Sequence, residues 1–261
     1  MSSHAEQHTL YRVANAPLRD HPFPHILVHE VFEPGFYRRL QEQLLPVDRM
    51  RPIGAVRSLG KSYSEDRYVF AVTPEEIGAL PPQARAFWEE FSGWLLALPF
   101  TRVLFRKFAA GLEQRFGPRE PGFFNEALLV DDRERYSLGP HSDAPTKVIT
   151  VLFYLPADAS RPHLGTSIYV PREPGFRCPG GPHYPFEQFE RVLTMPYVPN
   201  TMFAFLKTDN SFHGVEPVRD ADYRRHLLLY DIRCTTEDLA RAQSERAAAA
   251  GGDEPTVEFR F

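Results

Sequence analysis

The N-terminal part of the chain, about residues 21–100, places its apolar residues at helical spacing. Within 33–45 they recur at i, i+4 and i+8, which predicts an amphipathic helix that ends at Pro46. A second helix is predicted over 82–98, where one stripe carries Phe87, Phe91, Trp94 and Leu98. Stripes of large aromatic residues usually face a core, so we expect these helices to cover one face of a sheet.

Beyond about residue 100 the pattern changes to short strands separated by Pro, Gly and Asp. Eight are predicted, at 123–130, 136–140, 148–155, 166–170, 191–198, 202–207, 214–217 and 225–233. Short strands in this number and spacing suit a double-sheet jelly roll. The expected fold class is therefore mainly β with flanking helices, a double-stranded β-helix (jelly-roll) core with N-terminal helices packed on one sheet.

Two segments show neither the helical nor the strand pattern of apolar residues. Residues 48–68 are rich in Arg, Gly and Ser and are predicted as a long loop, a kind of segment that is more often functional than idle. Residues 171–190 hold five prolines and three glycines, so they cannot form a central strand. We predict an ordered insertion over one rim of the barrel there, and the pattern allows both a lid over the substrate and a purely structural flap.

The length of 261 residues allows one large domain. We predict a single domain over 1–261, with helical support at about 21–100, a jelly-roll core at about 101–235 that includes the insertion, and a C-terminal tail at 236–261. A hydrophobic fraction of 43% with 25% charged residues is ordinary for a globular protein. The net charge of −4 disfavours nucleic acid as a partner, because binding phosphates takes a basic face.

The cellular setting is also predicted from composition. The chain has two cysteines, Cys178 and Cys234, whose spacing matches neither a disulfide framework nor a zinc site, so both are expected to be free thiols. The N-terminus lacks the basic start and apolar run of a signal peptide, and no segment reaches the roughly 18 apolar residues of a membrane span. We therefore expect a cytoplasmic protein without membrane contact.

Candidate chemistry centres on a His-x-Asp triplet. Side chains at i and i+2 of an extended strand point to the same face, so His141 and Asp143 can present an imidazole and a carboxylate side by side. A third group from elsewhere would complete a 2-His-1-carboxylate facial triad, which leaves one face of an octahedral metal open. We predict His213 as this third ligand, although a buried core histidine is the alternative for that position.

The order of features after the triplet adds information. A run rich in β-branched and aromatic residues, 147–155, follows His141 and Asp143. His213 comes next within a His-x-Val triplet, and Arg225 stands twelve residues later at the start of another apolar run.

This order resembles that of the Fe(II)/2-oxoglutarate-dependent oxygenase superfamily, and within it the prolyl-hydroxylase-like branch. The opening segment 21–28, His-Pro-Phe-Pro-His-Ile-Leu-Val, is similar to the N-terminal entry of the same branch. The resemblance covers about residues 21–235. It implies a dioxygenase that uses Fe(II), 2-oxoglutarate and O2 to hydroxylate a C–H bond, with release of succinate and CO2.

The resemblance also implies roles for single residues. His141, Asp143 and His213 would hold Fe(II), and the carboxylate at Asp143 favours hydroxylation, because halogenating relatives carry a small residue there. An arginine that opens the last strand would bind the far carboxylate of 2-oxoglutarate. Arg224 and Arg225 both qualify, and we predict Arg225, because Leu227 and Leu229 would then line the same inner face.

Tyr154 matches the position at which relatives place a tyrosine hydroxyl on that same carboxylate, with ordinary packing as the alternative. Three further histidines match no motif and are expected at the surface or just behind the ligands: His163, His183 and His226. Three polar residues are possible pocket groups that the sequence does not rank: Asn125, Thr150 and Asn210.

Two other classes of function compete with the dioxygenase. One is a cupin-like metalloenzyme without 2-oxoglutarate, and the other is a metal-free jelly-roll binding module. The substrate is expected to be a small molecule or a peptidyl side chain. Four basic residues in the 48–68 loop either favour an anionic substrate or form a solvated surface: Arg51, Arg57, Lys61 and Arg67.

Overall fold

The structure is a computed structural model that describes residues 3–56, 64, 66–133, 135–217 and 223–249. Its strands are β1 (His25–His29), β2 (Arg51–Pro52), β3 (Arg67–Ala71), β4 (Phe123–Asp132), β5 (Leu138–His141), β6 (Lys147–Tyr154), β7 (Ser167–Pro171), β8 (Phe189–Thr194), β9 (Thr201–Leu206), β10 (His213–Val215) and β11 (Arg225–Cys234). Its helices are α1 (His4–Asn15), α2 (Pro34–Glu42), α3 (Pro74–Gly78), α4 (Pro82–Leu95), α5 (Leu98–Lys107), α6 (Ala109–Phe116) and α7 (Thr236–Ala249).

The strands form two antiparallel sheets. The larger has the order β1-β9-β6-β11-β4-β3-β2, and the smaller has the order β5-β10-β7-β8. Among the last eight strands, the first pairs with the eighth, the second with the seventh, the third with the sixth and the fourth with the fifth. This nested pairing is that of a jelly roll, so the predicted fold class is confirmed.

The larger sheet has two apolar faces with different partners. Because side chains alternate along a strand, Leu227 and Leu229 of β11 face the space between the sheets, whereas Leu228 and Tyr230 face the helices. The helix-facing core is the bigger of the two and includes Phe32, whose ring stacks on that of Phe153 at 5.0 Å between centroids. The helices therefore support the sheet from one side and leave its other side for the barrel interior.

The helical region differs from its prediction in extent. The helix predicted over 82–98 ends at Leu95, and Leu98, which is 53% exposed, begins the separate helix α5. The prediction that Leu98 belongs to the core stripe is therefore wrong, whereas Phe87, Phe91 and Trp94 are buried as predicted. The helices also continue past residue 100, because α5 and α6 extend to Phe116.

Other elements lie in segments that the pattern left without structure. The polar N-terminal segment forms α1, and the predicted tail contains α7, whose Ala242 is buried in the helix-facing core. The loop predicted over 48–68 contains β2 and ends in β3, while residues 57–63 and 65 of it lie outside the described residues. Within the described residues, no helix is both long and apolar enough to cross a membrane.

The stacking of Phe32 on Phe153 yields a stability prediction. Phe153→Ala should lower the free energy of unfolding by about 3–5 kcal/mol, because the ring is fully buried between the sheet and the helices. Leu98→Ala is the control and should change it by no more than about 0.5 kcal/mol. Urea unfolding measures both values. Equal losses in the two variants would mean that Leu98 belongs to the core after all.

Candidate metal centre

The two histidines of the predicted triad lie opposite each other on paired strands. β5 and β10 are antiparallel neighbours in the smaller sheet, and their register places His213 directly across from His141. The centroids of the two imidazole rings are 4.3 Å apart. Asp143 lies in the turn that follows β5, and one ligand atom from each of the three residues lies within 4.8 Å of the others. Strand pairing thus brings together two histidines that lie 72 residues apart in the sequence.

Hydrogen bonds fix the orientation of both imidazole rings. Nδ1 of His141 donates to the carbonyl oxygen of Gly139 at 2.9 Å, and Nδ1 of His213 donates to that of Ser211 at 3.0 Å. A neutral imidazole that donates from Nδ1 keeps its lone pair on Nε2. Both Nε2 atoms face Asp143, at 4.0 and 3.9 Å from its carboxylate oxygens. The arrangement resembles a metal site, in which a backbone carbonyl orients each ligating histidine.

The environment favours neutral histidines. Burial lowers the pKa of His141 well below its usual value, and the nearby His213 lowers it further. Burial also lowers the pKa of His213, against the opposing effect of Asp143. Because a metal binds the unprotonated ring nitrogen, this depression keeps both rings in the ligating form at neutral pH.

Asp143 is held as an anion by two residues of β6. Burial alone would raise the pKa of its carboxyl, but the Lys147 ammonium and the Thr150 hydrogen bond oppose burial, and that pKa lies well below its usual range. Lys147 Nζ lies 3.0 Å from Oδ1, and Thr150 Oγ1 donates to Oδ2 at 2.7 Å. Lys147 Nζ also lies 3.0 Å from an oxygen of Asp231. This buried lysine therefore forms ion pairs both with Asp143 in the turn after β5 and with Asp231 on β11.

The two neighbouring arginines face opposite ways, as the strand alternation predicts. Arg225 is 1% exposed and lies on the same face as Leu227 and Leu229. Arg224 is exposed, and its Nη1 lies 3.7 Å from a carboxylate oxygen of Asp131 on β4.

The buried guanidinium of Arg225 already has three partners. Nε donates to the carbonyl oxygen of Leu164 at 2.6 Å, Nη1 to Asp132 Oδ2 at 2.7 Å and Nη2 to Thr166 Oγ1 at 3.3 Å. Arg67 of β3 binds the same Asp132 carboxylate through two hydrogen bonds of 2.6 and 2.9 Å. Two guanidinium groups therefore share the carboxylate of Asp132 in this buried cluster.

Tyr154 lies beside this cluster. Its ring centroid is 5.7 Å from the guanidinium carbon of Arg225, and its hydroxyl oxygen accepts a hydrogen bond from the Thr166 N–H at 3.0 Å. Burial raises the pKa of Tyr154, against the opposing effect of Arg225. The hydroxyl therefore keeps its proton and can donate it. The structure brings the two predicted cosubstrate residues together.

The insertion is ordered and runs along the metal site. Its Tyr184 N–H donates to the carbonyl oxygen of Pro140 at 2.9 Å, and its Cys178 N–H donates to that of Asp209 at 2.8 Å. The ring of His183 makes an edge contact with that of His141, with 4.6 Å between centroids. The segment 171–190 therefore forms one wall beside the triad.

Several residues near the site escaped sequence reasoning. Arg67 and Asp132 fall in a predicted loop and just beyond a predicted strand end, and nothing in the sequence pairs them with Arg225. Lys147 opens the run 147–155, and nothing in the sequence marks it as a partner of Asp143. Of the three polar candidates, Thr150 contacts the triad. The other two are bound elsewhere, because Asn125 donates to Leu96 and Thr101, and Asn210 donates to Pro22.

No family model and no curated protein matches the chain. Among solved structures it is similar to a prolyl-4-hydroxylase of Pseudomonas putida, with 13% identity and a TM-score of 0.48 over 87% of this chain and 98% of that chain. It is also similar to a Trichoplax adhaerens prolyl hydroxylase in complex with a hypoxia inducible factor peptide fragment, with 10% identity and a TM-score of 0.48 over 90% and 91%. A 2OG-Fe(II) oxygenase family oxidoreductase of Burkholderia pseudomallei shows 12% identity and a TM-score of 0.45 over 89% and 91%. Because the identities and TM-scores are this low, a functional assignment depends on the chain's own residues.

Proposed function

We propose that this chain is an Fe(II)- and 2-oxoglutarate-dependent dioxygenase that hydroxylates a C–H bond of a small molecule or a peptidyl side chain. The observation that carries the proposal is the buried group of His141, Asp143 and His213, whose two free Nε2 atoms and one carboxylate converge. Two neutral imidazoles and a carboxylate are the donor set of non-haem Fe(II) oxygenases. The donors present therefore fit the metal.

Each residue has a defined task in this proposal. His141, Asp143 and His213 would hold Fe(II), which together with 2-oxoglutarate supplies the activation of O2 and yields succinate and CO2. The carbonyl oxygens of Gly139 and Ser211 keep the imidazole rings in the ligating tautomer. Lys147 and Thr150 keep the Asp143 carboxylate charged and oriented, because each donates to one of its oxygens.

The far carboxylate of 2-oxoglutarate is assigned to Arg225 and Tyr154. The Arg225 guanidinium is buried beside Tyr154, and it would pair with a bound carboxylate through charge-assisted hydrogen bonds. The Tyr154 hydroxyl can add a hydrogen bond. The apolar side chains of Leu227 and Leu229 keep this part of the barrel dry, which strengthens the charge interaction.

One observation favours a second candidate function. Asp132 already binds Arg225 at 2.7 Å, so the chain satisfies this arginine without any cosubstrate. A cupin-like metalloenzyme that uses the same three ligands but no 2-oxoglutarate is consistent with that contact. A metal-free binding module does not explain why both imidazoles and the carboxylate are oriented toward one point.

We assign the insertion, residues 171–190, a role in contacting the substrate. His183 extends from it to the ring of His141. Among the described residues, the hydrogen-bond partners of Arg225 and Tyr154 lie outside the insertion, at Asp132, Leu164 and Thr166. We assign 171–190 a lid role, with His183 as a contact to the substrate beside the metal.

The metal ligands can be tested without a substrate. His141→Ala, Asp143→Ala and His213→Ala should each abolish turnover of 2-oxoglutarate and leave the protein folded, because the three residues lie outside the two large apolar cores. His163→Ala, a change at an exposed histidine, should retain turnover. Wild-type protein with Fe(II) and 2-oxoglutarate should show a visible metal-to-ligand charge-transfer band without oxygen. Full iron occupancy with no band would contradict the role of 2-oxoglutarate.

The arginine pair separates the two candidate enzymes. Arg225→Ala should weaken 2-oxoglutarate binding by about 2–5 kcal/mol, or roughly 30-fold to several-thousand-fold, because the far carboxylate loses its buried partner. Arg225→Lys should recover little, because one ammonium cannot reproduce a planar fork. Arg224→Ala is the matched control and should leave the affinity for 2-oxoglutarate nearly unchanged. Calorimetric titration at fixed metal gives the dissociation constants. Absence of saturable 2-oxoglutarate binding to the metal-loaded wild type would favour the cupin-like enzyme, and equal affinities in the wild type and both Arg225 variants would contradict the role of Arg225.

The lid role predicts an uneven loss of activity. His183→Ala should reduce substrate-dependent succinate release at least about tenfold, while uncoupled 2-oxoglutarate decarboxylation stays near the wild-type rate, because cosubstrate residues lie elsewhere. Arg172→Ala, a change at an exposed residue of the same insertion, should affect neither rate. Succinate is measured with and without the best compound from a substrate screen. A parallel loss of both rates would favour a structural flap.

A further inference from the structure

A cavity of about 690 Å³ lies apart from the triad and from Arg225, because none of these four residues lines it. Its wall comes from α6, α7, the segment before β1, the turn after β9 and the insertion. Three arginines from three of these elements line it: Arg115 of α6, Arg177 of the insertion and Arg246 of α7. The volume is within the range of sites for small molecules.

Arg115 is a partly buried cation that binds only neutral acceptors. Its Nη1 donates to the carbonyl oxygens of Lys147 at 2.7 Å and Lys207 at 3.1 Å, and its Nη2 donates to that of Pro145 at 2.5 Å. Within the described residues, no carboxylate lies within 4 Å of it. Because a guanidinium has five N–H groups, two remain without an acceptor in this part of the chain.

The other two arginines add uncompensated charge. Arg177 donates to its neighbour's carbonyl oxygen at 3.1 Å, and neither Arg177 nor Arg246 has a carboxylate within 4 Å among the residues that the structure describes. Asp20 and Asp209 also line the cavity, but Asp209 is paired with the buried Lys207 at 3.3 Å. Three arginines therefore face one unneutralised aspartate, which leaves two positive charges.

We propose that this cavity is a binding site for a small oxyanion, a molecule bearing carboxylate or phosphate groups. A guanidinium binds both groups through paired, charge-assisted hydrogen bonds, and Arg115 has N–H groups left for them. The site does not depend on the metal or on 2-oxoglutarate bound at the triad.

The position of the site links it to the metal centre. Arg115 binds the carbonyl oxygens of Pro145, in the turn after Asp143, and of Lys147, the first residue of β6. Pro145 also lines the cavity. An occupant would therefore contact the main chain that places Asp143 and Lys147, and the same turn would form part of both sites.

Binding of defined anions to metal-free protein tests the proposal. Citrate, inorganic phosphate and pyrophosphate are titrated by calorimetry in the presence of EDTA, so that carboxylate and phosphate ligands are distinguished. At least one probe should bind with a one-to-one stoichiometry. The double variant Arg177→Gln/Arg246→Gln should bind that probe at least about tenfold more weakly, because two charged contacts are lost. Both side chains are exposed, so the variant should remain folded.

Two controls define the site. Arg106→Gln removes an exposed arginine of α5 that does not line the cavity and should bind the probe as tightly as the wild type. His213→Ala should also bind it normally, which separates this site from the metal centre. Absence of saturable binding of every probe to the wild type would overturn the proposal, as would equal affinity of the wild type and the double variant.

Discussion

The pairing of β5 with β10 is the constraint on which the candidate site depends. It places His141 opposite His213, and the hydrogen bonds from each Nδ1 to a nearby carbonyl oxygen turn both Nε2 atoms toward Asp143. This register is what brings two residues 72 positions apart in the sequence into contact. The jelly-roll topology creates it, because the second and seventh strands of the fold are neighbours in the smaller sheet. The helices matter to function indirectly, by supporting the opposite sheet.

Buried charge sets the chemistry inside the barrel. At one level of β11, Arg225 shares Asp132 with Arg67, and at another level Asp231 contacts Lys147, which also holds Asp143. Burying charges costs several kcal/mol per ion unless they are paired, so each group constrains the position of its partners. Because Arg225 and Asp231 lie on one face of one strand, β11 fixes the distance between the cationic cluster and the metal ligands.

Sequence periodicity predicted the strands of the jelly roll well, because each carries β-branched and aromatic residues between Pro, Gly or Asp turns. Alternation also predicted that Arg225 faces inward and Arg224 outward. The pattern missed α1, whose few apolar residues give little helical signal, and it joined α4 to α5 across the break near Leu98. It could not find Arg67, Asp132 or Lys147 as partners, because strand register and tertiary packing decide which charges meet.

In the proposed function, the metal and 2-oxoglutarate bind the folded protein together at the triad and Arg225. The most direct measurement is the melting temperature under anaerobic conditions with Fe(II) alone, with 2-oxoglutarate alone and with both. A ligand at about 100 times its dissociation constant adds about 2.7 kcal/mol of stability when it binds only the native state. Fe(II) should raise the melting temperature, and adding 2-oxoglutarate should raise it further. A melting temperature that rises with Fe(II) but stays unchanged when saturating 2-oxoglutarate is added would contradict joint binding.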